Sequence, residues 1–322
     1  MSVSRLSRRT FLAASAGAAS LAAARAVAAP PARLRYEEQP QDGRIALFEG
    51  NDPILVYNYA DRLPAGVPER YRRACYMHPV YAPDGTVLTD DFPKDHYHHR
   101  GIFWSWPRMK ARGKAVQTWH LEGIHQKHRQ WLKRFVGSGA AHLDVVNEWR
   151  LDDGTCVGRE TVRTTVYPAD AVGQAIDVAL TFEAIGGPVE LLGAAGKGYG
   201  GFCFRFAPRE DTVLTTDAGV QPRDSNNETP AWADLSARFG GKAGMSGAAI
   251  FVHPASSPKP RGWTLRHYGF LGPSWPHLQP HTLQPGVPVT LRYRVYVHRG
   301  NATAGKVAEA YERYTGAPAP VT

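Results

Sequence analysis

The strongest constraint on the fold is a period of two in residues 174–185, where apolar and polar side chains alternate. Its apolar members, Ile176, Val178, Leu180 and Phe182, fall on one face, and Asp177, Thr181 and Glu183 fall on the other. This alternation is typical of a β-strand with one face turned towards a core. A Gly-Gly-Pro sequence follows directly and predicts the end of the strand.

Similar segments recur along the chain and are separated by turn residues. The other predicted strands cover residues 44–49, 54–59, 142–151, 156–167, 201–206, 247–253, 262–268 and 287–298. Only residues 304–314 space their apolar side chains as a helix does. With 32 Gly and 25 Pro available for turns, we expect an all-β fold, a large antiparallel β-sandwich with a short C-terminal helix. One domain should cover residues 29–322.

The first 28 residues have the pattern of an export signal. Ser7-Arg8-Arg9-Thr10-Phe11-Leu12 resembles the twin-arginine motif, a small apolar run follows, and Ala26-Val27-Ala28 offers a cleavage site. We therefore predict a twin-arginine signal peptide at residues 1–28 and a periplasmic or extracellular protein. The remaining sequence has no run of about 20 apolar residues, so no stable membrane insertion is expected after signal removal.

Charge argues against a nucleic-acid partner. The formal net charge is +9, and four arginines of the signal segment account for part of it, which leaves +5 for the mature chain. The basic residues of that chain are scattered among acids and form no basic stripe, whereas nucleic-acid binding requires one.

Three cysteines, Cys75, Cys156 and Cys203, leave two alternatives. One disulfide plus a free thiol is compatible with an oxidising compartment. The favoured alternative is that they are small buried hydrophobic residues.

Histidines crowd into one part of the chain. Seven of the 13 are His78, His96, His98, His99, His120, His125 and His128. If residues 95–100 are extended, His96 and His98 point one way and His99 the other. Two histidines on one face could bind a divalent metal together with a third ligand. They could equally serve as acid/base or substrate-binding groups.

Other segments add polar or aromatic candidates. Trp104 and Trp119 are suited to packing on sugar rings and equally to a core. The glycine-rich run Gly196–Gly201 lacks a phosphate-loop signature, so its glycines are expected to allow a bulge or close backbone approach. Asp234 could be the carboxylate partner of a histidine. No G-x-S-x-G or H-E-x-x-H motif occurs.

Several of these segments together resemble a known family. His78–Gly85, Asp95–Phe103, Gly198–Phe202, Trp232–Asp234 and His253-Pro254 are similar to the PmoA-like family of uncharacterised bacterial proteins. The likeness extends from about Leu34 to His298, and His-His-Arg-Gly is its most specific block. Methane oxidation, which the family name suggests, is not supported, since methane monooxygenase subunits are membrane proteins. The resemblance implies a β-sandwich in a carbohydrate setting and, by analogy of fold, an aldose-epimerase-like supersandwich.

These observations predict an exported carbohydrate-active enzyme of the glycoside lyase, hydrolase or epimerase type. It would act on a glycoside or keto sugar by histidine and carboxylate acid-base chemistry. The alternative is a non-catalytic sugar-binding or scaffold protein of the envelope. The predicted catalytic residues are His98, His99, His78 and Asp234. The predicted substrate-binding residues are Arg100, Trp104, Trp119, Glu122, Tyr199, Arg205 and His253, and His96 and His98 could hold a divalent metal.

Overall fold

Two large antiparallel sheets dominate the computed structural model, which describes residues 34–316. They face each other across one hydrophobic core, so the predicted all-β antiparallel sandwich is confirmed. The predicted signal peptide and the domain boundary at residue 28 lie outside the described residues.

Residues 34–316 form twenty-one strands and one α-helix. The first eleven strands are β1 Leu34–Gln39, β2 Arg44–Glu49, β3 Asp52–Asn58, β4 Tyr76–Val80, β5 Ile102–Ser105, β6 Arg108–Ala111, β7 Lys114–Val116, β8 Ile124–Val136, β9 Ala141–Leu151, β10 Cys156–Val166 and β11 Gly173–Ala184. The rest are β12 Val189–Leu192, β13 Gly201–Arg205, β14 Arg209–Thr216, β15 Gly219–Val220, β16 Trp232–Phe239, β17 Met245–Val252, β18 Gly262–Arg266, β19 Phe270–Ser274, β20 His281–Leu283 and β21 Val289–Arg299, followed by α1 Val307–Gly316. Two short 3-10 helices lie at Pro40–Asp42 and Glu69–Tyr71.

The strands form three sheets, and neighbouring strands in each are antiparallel. The eight-stranded sheet has the order β1-β2-β3-β4-β5-β13-β19-β18, and the nine-stranded sheet has the order β15-β14-β16-β17-β21-β11-β10-β9-β8. A small four-stranded sheet has the order β20-β12-β6-β7.

The core lies between the two large sheets and is filled by the inward side chains of their strands. Phe204 and Leu271 enter it from the eight-stranded sheet, and Leu180 and Val295 enter it from the nine-stranded sheet. Leu180 belongs to the alternating segment from which the strand is predicted. Because its side chain is fully buried, Leu180→Ala should cost about 2–5 kcal/mol of stability.

The outer face of the eight-stranded sheet carries a second, aromatic cluster. Alternation along β5 turns Ile102 into the core and Phe103 to the outer face. Phe103, Cys203 and Phe270 lie side by side on that face, and Trp119 packs on them from the loop between β7 and β8. This cluster is the floor on which the candidate site is built.

The three cysteines are all free. Cys75 and Cys203 are buried, as the favoured alternative predicts, and Cys156 is half-buried. No helix in residues 34–316 is long and apolar enough to cross a membrane.

Candidate functional site

A cavity of about 320 Å³ lies over the outer face of the eight-stranded sheet. We call it the histidine cavity, and it is lined by His96, His98, His99, Trp119, His120, Lys197, Tyr199, Thr264, Arg266, Tyr268 and Phe270. Its size is at the lower end of the range of small-molecule sites, about 300–1,000 Å³.

The histidine-rich segment is a series of turns and not a strand. His96 N–H donates to the Pro93 carbonyl at 2.9 Å, and His99 N–H donates to the His96 carbonyl at 2.8 Å. The expectation of an extended segment with His96 and His99 on opposite faces is therefore wrong. The turns stack the rings of His96 and His99 with their centroids 4.5 Å apart and nearly parallel.

Arg100 holds these turns in place. Its guanidinium donates to the carbonyl oxygens of Tyr97, His99 and Tyr71 at 2.7, 2.6 and 2.5 Å. The side chain is fully buried, and its Nε lies 3.4 Å from Asp91 Oδ1. Arg100, predicted to bind substrate, therefore contacts the backbone of the loop and does not line the histidine cavity.

His98 lies at the centre of the imidazole group. Its ring centroid is 4.4 Å from that of His120 and 4.5 Å from that of His99. Burial, reinforced by the neighbouring His120 and His96, lowers the pKa of His98 to about 2. His98 is thus neutral at pH 7, and among residues 34–316 no side chain or backbone group hydrogen-bonds to its ring.

His99 is more deeply buried, with 2% of its surface exposed. Burial, and then the adjacent His98, hold the pKa of His99 well below its usual value. Its Nδ1 is buried without a hydrogen-bonding partner in the described part of the chain. A neutral ring with spare hydrogen-bonding capacity can donate to and accept from a ligand hydroxyl.

His120 is only partly buried and has a defined tautomer. Gln117 Nε2 donates to Glu122 Oε2 at 2.6 Å, which leaves Gln117 Oε1 to accept from His120 Nδ1 at 3.1 Å. The lone pair of the neutral His120 ring is then on Nε2. Burial lowers the pKa of His120, and the charge of Glu122 opposes that shift. Glu122, predicted to contact substrate, lies behind Gln117 and outside the lining of the cavity.

Aromatic rings form the rest of the lining. Trp119 and Tyr199 are 4.8 Å apart and tilted by 39°. Tyr268 stacks on His96 at 5.3 Å, and Phe270 packs on His99 at 5.0 Å. Trp119 and Tyr199, two of the predicted binding residues, therefore both line the histidine cavity, and Trp119 packs against His98 and His99.

The turn that carries Tyr199 depends on glycine. Gly198 has φ +71°, and a Cβ at this position would collide with the ring of His277. The expectation of close backbone approach in the glycine-rich run is confirmed here, since only glycine allows both features.

Arg205 lines a neighbouring cavity of about 750 Å³. Its Nη2 contacts both carboxylate oxygens of Asp95, at 2.8 and 2.9 Å. Tyr268 lines both cavities. The Arg205 guanidinium lies over the Tyr268 ring, with its Cζ 5.0 Å from the ring centroid. Arg205 is thus next to the histidine cavity but separated from it by Tyr268.

Besides Arg100 and Glu122, four further predicted site residues lie away from both cavities. Trp104 is in the core, where its indole N–H donates to Glu160 at 2.7 Å. Asp234 is the partner of a histidine, as predicted. That histidine is the buried His298, whose Nε2 lies 2.7 Å from Asp234 Oδ2. His78 Nδ1 lies 2.9 Å from Thr89 Oγ1, and burial lowers the pKa of His78 to about 4.

His253, the last of the four, lies near the C-terminal helix, with its ring centroid 4.9 Å from that of Tyr314. It lines a separate pocket with Trp263 and Tyr311. His253 therefore does not contribute to the lining of the histidine cavity.

The side chains do not form a metal site. His96 and His98 approach each other with centroids 5.6 Å apart. Within residues 34–316, however, no group of three or more His, Cys, Asp or Glu side chains is arranged to hold a metal ion. The predicted third ligand is missing from this arrangement.

Several residues of the lining were not singled out from the sequence. Thr264, Arg266, Tyr268 and Phe270 come from β18, β19 and their connection, and Lys197 comes from the glycine-rich turn. His120 belongs to the crowded histidines, and that crowding is the one sequence signal that could have pointed to it.

Fold and site together define an antiparallel β-sandwich protein with a cavity of imidazole and aromatic rings. The chain belongs to a family of unknown function, DUF6807, whose pattern matches residues 44–312. No curated protein sequence matches it. The PmoA-like resemblance stays a prediction.

Among solved structures, a GalM/aldose epimerase homologue from C. elegans is 9% identical and covers 84% of this chain and 100% of its own, with a TM-score of 0.34. A galactose mutarotase related enzyme from Lactobacillus acidophilus is 10% identical and covers 83% of this chain and 97% of its own, with a TM-score of 0.30. A polysaccharide lyase is 12% identical over 85% of this chain and 34% of its own, also with a TM-score of 0.30. Structural similarities with TM-scores this low do not indicate a function for this chain.

Proposed function

We propose that this chain is a carbohydrate-active enzyme that moves a proton on a sugar bound in the histidine cavity. The observation that carries the proposal is that four imidazoles and four larger aromatic rings converge on one cavity of about 320 Å³. Ligand sites combine apolar walls with a few convergent polar groups in this way. The resemblance to the PmoA-like family, which implies a carbohydrate setting, points in the same direction.

The aromatic rings are suited to the apolar faces of a sugar ring. Trp119, Tyr199 and Phe270 lie on one side of the cavity, each within about 6 Å of another aromatic or imidazole ring. A pyranose packed against them would turn its hydroxyls sideways, towards His98, His99 and His120.

His120 is the group best suited to take up the proton. It is half-exposed, its Nδ1–H is held by Gln117, and its Nε2 has a free lone pair. The charge of Glu122 behind Gln117 favours the protonated ring, so it would stabilise the imidazolium that forms after proton transfer. Gln117 and Glu122 are positioning residues in this scheme.

His98 would act as a neutral hydrogen-bonding group. Its pKa of about 2 makes it a weak base at pH 7 but leaves its N–H free to donate. A neutral imidazole beside a sugar carbonyl or hydroxyl can stabilise negative charge on that oxygen as the proton leaves.

A non-catalytic sugar-binding protein is the second candidate, and one observation favours it. Of the described residues that line the cavity, none is acidic, whereas glycoside hydrolysis usually requires a pair of carboxyl groups. A binding protein would need only the rings and the imidazoles.

Export by the twin-arginine route is part of the proposal and is supported by the motif Ser7–Leu12. Replacing both Arg8 and Arg9 by lysine should leave the protein inside the cell, as fractionation with an antibody would show. Unchanged export would contradict this point without affecting the cavity.

The test of catalysis is proton NMR of the mature protein mixed with a panel of glycosides and keto glycosides. New product signals should form with the wild type and with His142→Ala, a half-buried histidine outside the histidine cavity. They should be lost with His120→Gln and strongly reduced with His98→Ala. Line broadening of one sugar without any product would favour the binding protein instead.

A further inference from the structure

We infer that the sugar bound in the histidine cavity carries an anionic group, which Arg266 and Lys197 recognise. This inference rests on the proposed carbohydrate function and specifies its substrate class. The observation behind it is the balance of charge in the lining, which contains two cationic side chains and, among the described residues, no acidic one.

Arg266 is fixed at the cavity without being neutralised by close contact. Its Nη1 donates to the carbonyl oxygens of Ser225 and Leu265 at 2.7 and 2.9 Å, and its Nη2 donates to Asn226 Oδ1. All three acceptors are uncharged. The side chain is 13% exposed, so its charge acts in a medium less polar than water.

The nearest acid does not form a hydrogen bond with Arg266. Asp224 Oδ2 lies 4.0 Å from Arg266 Nε, beyond hydrogen-bonding distance. Asp224 is also occupied elsewhere, because its Oδ1 accepts from the backbone N–H of His267 at 2.9 Å and contacts the His267 ring at 2.9 Å. Asp224 therefore reduces the positive potential of Arg266 but leaves room for a second anion.

Lys197 adds a second cation to the lining of the cavity, two residues before Tyr199 in the glycine-rich turn. It is exposed, and no acidic side chain among residues 34–316 forms an ion pair with it. A lysine with a flexible four-carbon stem and no fixed partner can reach a ligand charge, and ordering that stem offsets part of the gain.

The acids closest to the imidazoles are also committed. Asp95 contacts His96 Nδ1 at 3.0 Å, but its two oxygens are held by Arg205. Glu122 is hydrogen-bonded to Gln117. A neutral sugar would therefore leave Lys197 without a counter-charge and Arg266 with only the distant Asp224, whereas a carboxylate or sulfate would supply a close one.

Isothermal titration of the whole mature protein with matched sugars tests the inference. Methyl glucuronide and glucose 6-sulfate are the anionic probes, and methyl glucoside is the neutral one. At least one anionic probe should bind about tenfold more tightly than the glucoside. That advantage should shrink between about 0.05 M and about 0.5 M salt, because exposed charges are screened. The two anionic probes distinguish a carboxylate from a sulfate.

The variants are chosen so that folding does not decide the result. Lys197→Gln changes an exposed side chain and should remove most of the anionic advantage, because it should weaken the binding of the anionic probe much more than that of the glucoside. Arg266→Gln should also remove most of the anionic advantage. Its thermal unfolding is compared with that of the wild type to show that the variant is folded. Lys110→Gln, an exposed lysine on β6 outside the histidine cavity, should change nothing.

Three outcomes separate the two proposals. Preference for an anionic probe that is lost with Lys197→Gln supports the inference. Equal binding of charged and neutral sugars at all salt concentrations overturns it and leaves the carbohydrate function standing. Absence of binding by any sugar, in this panel and in the wider NMR panel, overturns the carbohydrate function and this inference with it.

Discussion

His298 and His98 are both buried histidines, but of the two only the ring of His298 has hydrogen-bonding partners in the described part of the chain. His298 Nε2 lies 2.7 Å from Asp234 Oδ2, and its Nδ1 lies 3.3 Å from the Arg299 carbonyl oxygen. The ring of His98 has no such partner in the described part of the chain, although only 8% of its surface is exposed. Buried polar groups usually find partners in the protein, so the ring of His98, which lines the cavity, fits the proposed role of a ligand-binding group better than that of a structural one.

The surroundings of the two rings differ in the same sense. Asp234 accepts a hydrogen bond from Ser236 Oγ at 2.5 Å as well as contacting His298, and all three side chains are inaccessible to solvent. The histidine cavity has no acid of this kind among its described lining residues. The comparison predicts that changes in the nine-stranded sheet reduce stability, whereas changes in the cavity reduce function.

The largest effect is expected from Asp234→Ala. Removing the carboxylate leaves His298 and Ser236 buried without their partner, which should lower the free energy of unfolding by about 3–5 kcal/mol. Urea denaturation measures it, with Asp234→Asn as the control that keeps the shape and should lose less. A decrease in the free energy of unfolding of less than about 1 kcal/mol would contradict the structural role given to Asp234 and His298.

His120→Gln should produce the opposite pattern. Turnover should fall by at least about 100-fold, the usual contribution of a general base, while the free energy of unfolding changes by less than about 1 kcal/mol. Steady-state kinetics and urea denaturation on the same sample measure both. If activity falls only because the folded fraction falls, the cavity histidines are structural like His298.

Glu122→Gln sharpens the comparison by testing the positioning of His120. The charge of Glu122 raises the pKa of His120 against the effect of burial, so removing it should lower that pKa further. The acidic limb of kcat/KM against pH should then move to lower pH, with a loss of activity at pH 7 of less than about tenfold, or 1.4 kcal/mol. An unchanged limb would show that Glu122 and His120 are not coupled.

The smallest expected effect concerns stability and pH. Folded His98 stays neutral down to its pKa of about 2, whereas the unfolded chain takes up the proton near pH 6.5. Stability due to the neutral ring is therefore lost as pH falls below about 6.5. When the pH falls from about 7.5 to about 5.5, the free energy of unfolding should fall by about 1 kcal/mol less in His98→Gln than in the wild type, as urea denaturation measures. Parallel losses would show that His98 becomes protonated in the folded state.

The strands were predictable where apolar side chains on one face alternate with polar ones on the other. Gly173–Ala184 alternates because Ile176, Val178, Leu180 and Phe182 enter the core, while the polar Asp177 on the other face is paired with Arg294. Its position agrees with the prediction from residues 174–185 to within one residue at each end. The 13-residue strand Ile124–Val136 was missed. It is the edge strand of the nine-stranded sheet, and its second half is largely exposed, so its sequence lacks a clear apolar period.

The site was predictable only where histidines are adjacent in the sequence. The crowding of histidines pointed to His98 and His99. It could not show that Trp104 faces the core, whereas its neighbour Phe103 is part of the floor of the cavity. A shift of one residue along a strand exchanges the two faces. Arg266 and Tyr268 reach the cavity because β18 pairs with β19, β19 with β13 and β13 with β5. Such long-range pairing leaves no local signal in the sequence.

The histidine cavity has a floor of strands and walls of connecting segments. Phe103, Cys203 and Phe270 belong to paired strands of the eight-stranded sheet, whereas His98, His120 and Lys197 come from three separate loops. Loops accept substitutions and insertions more readily than the strands that support them. Members of this family can therefore diverge in the side chains that line this cavity while the same platform persists, and a designer could exchange one loop at a time to change what the cavity binds.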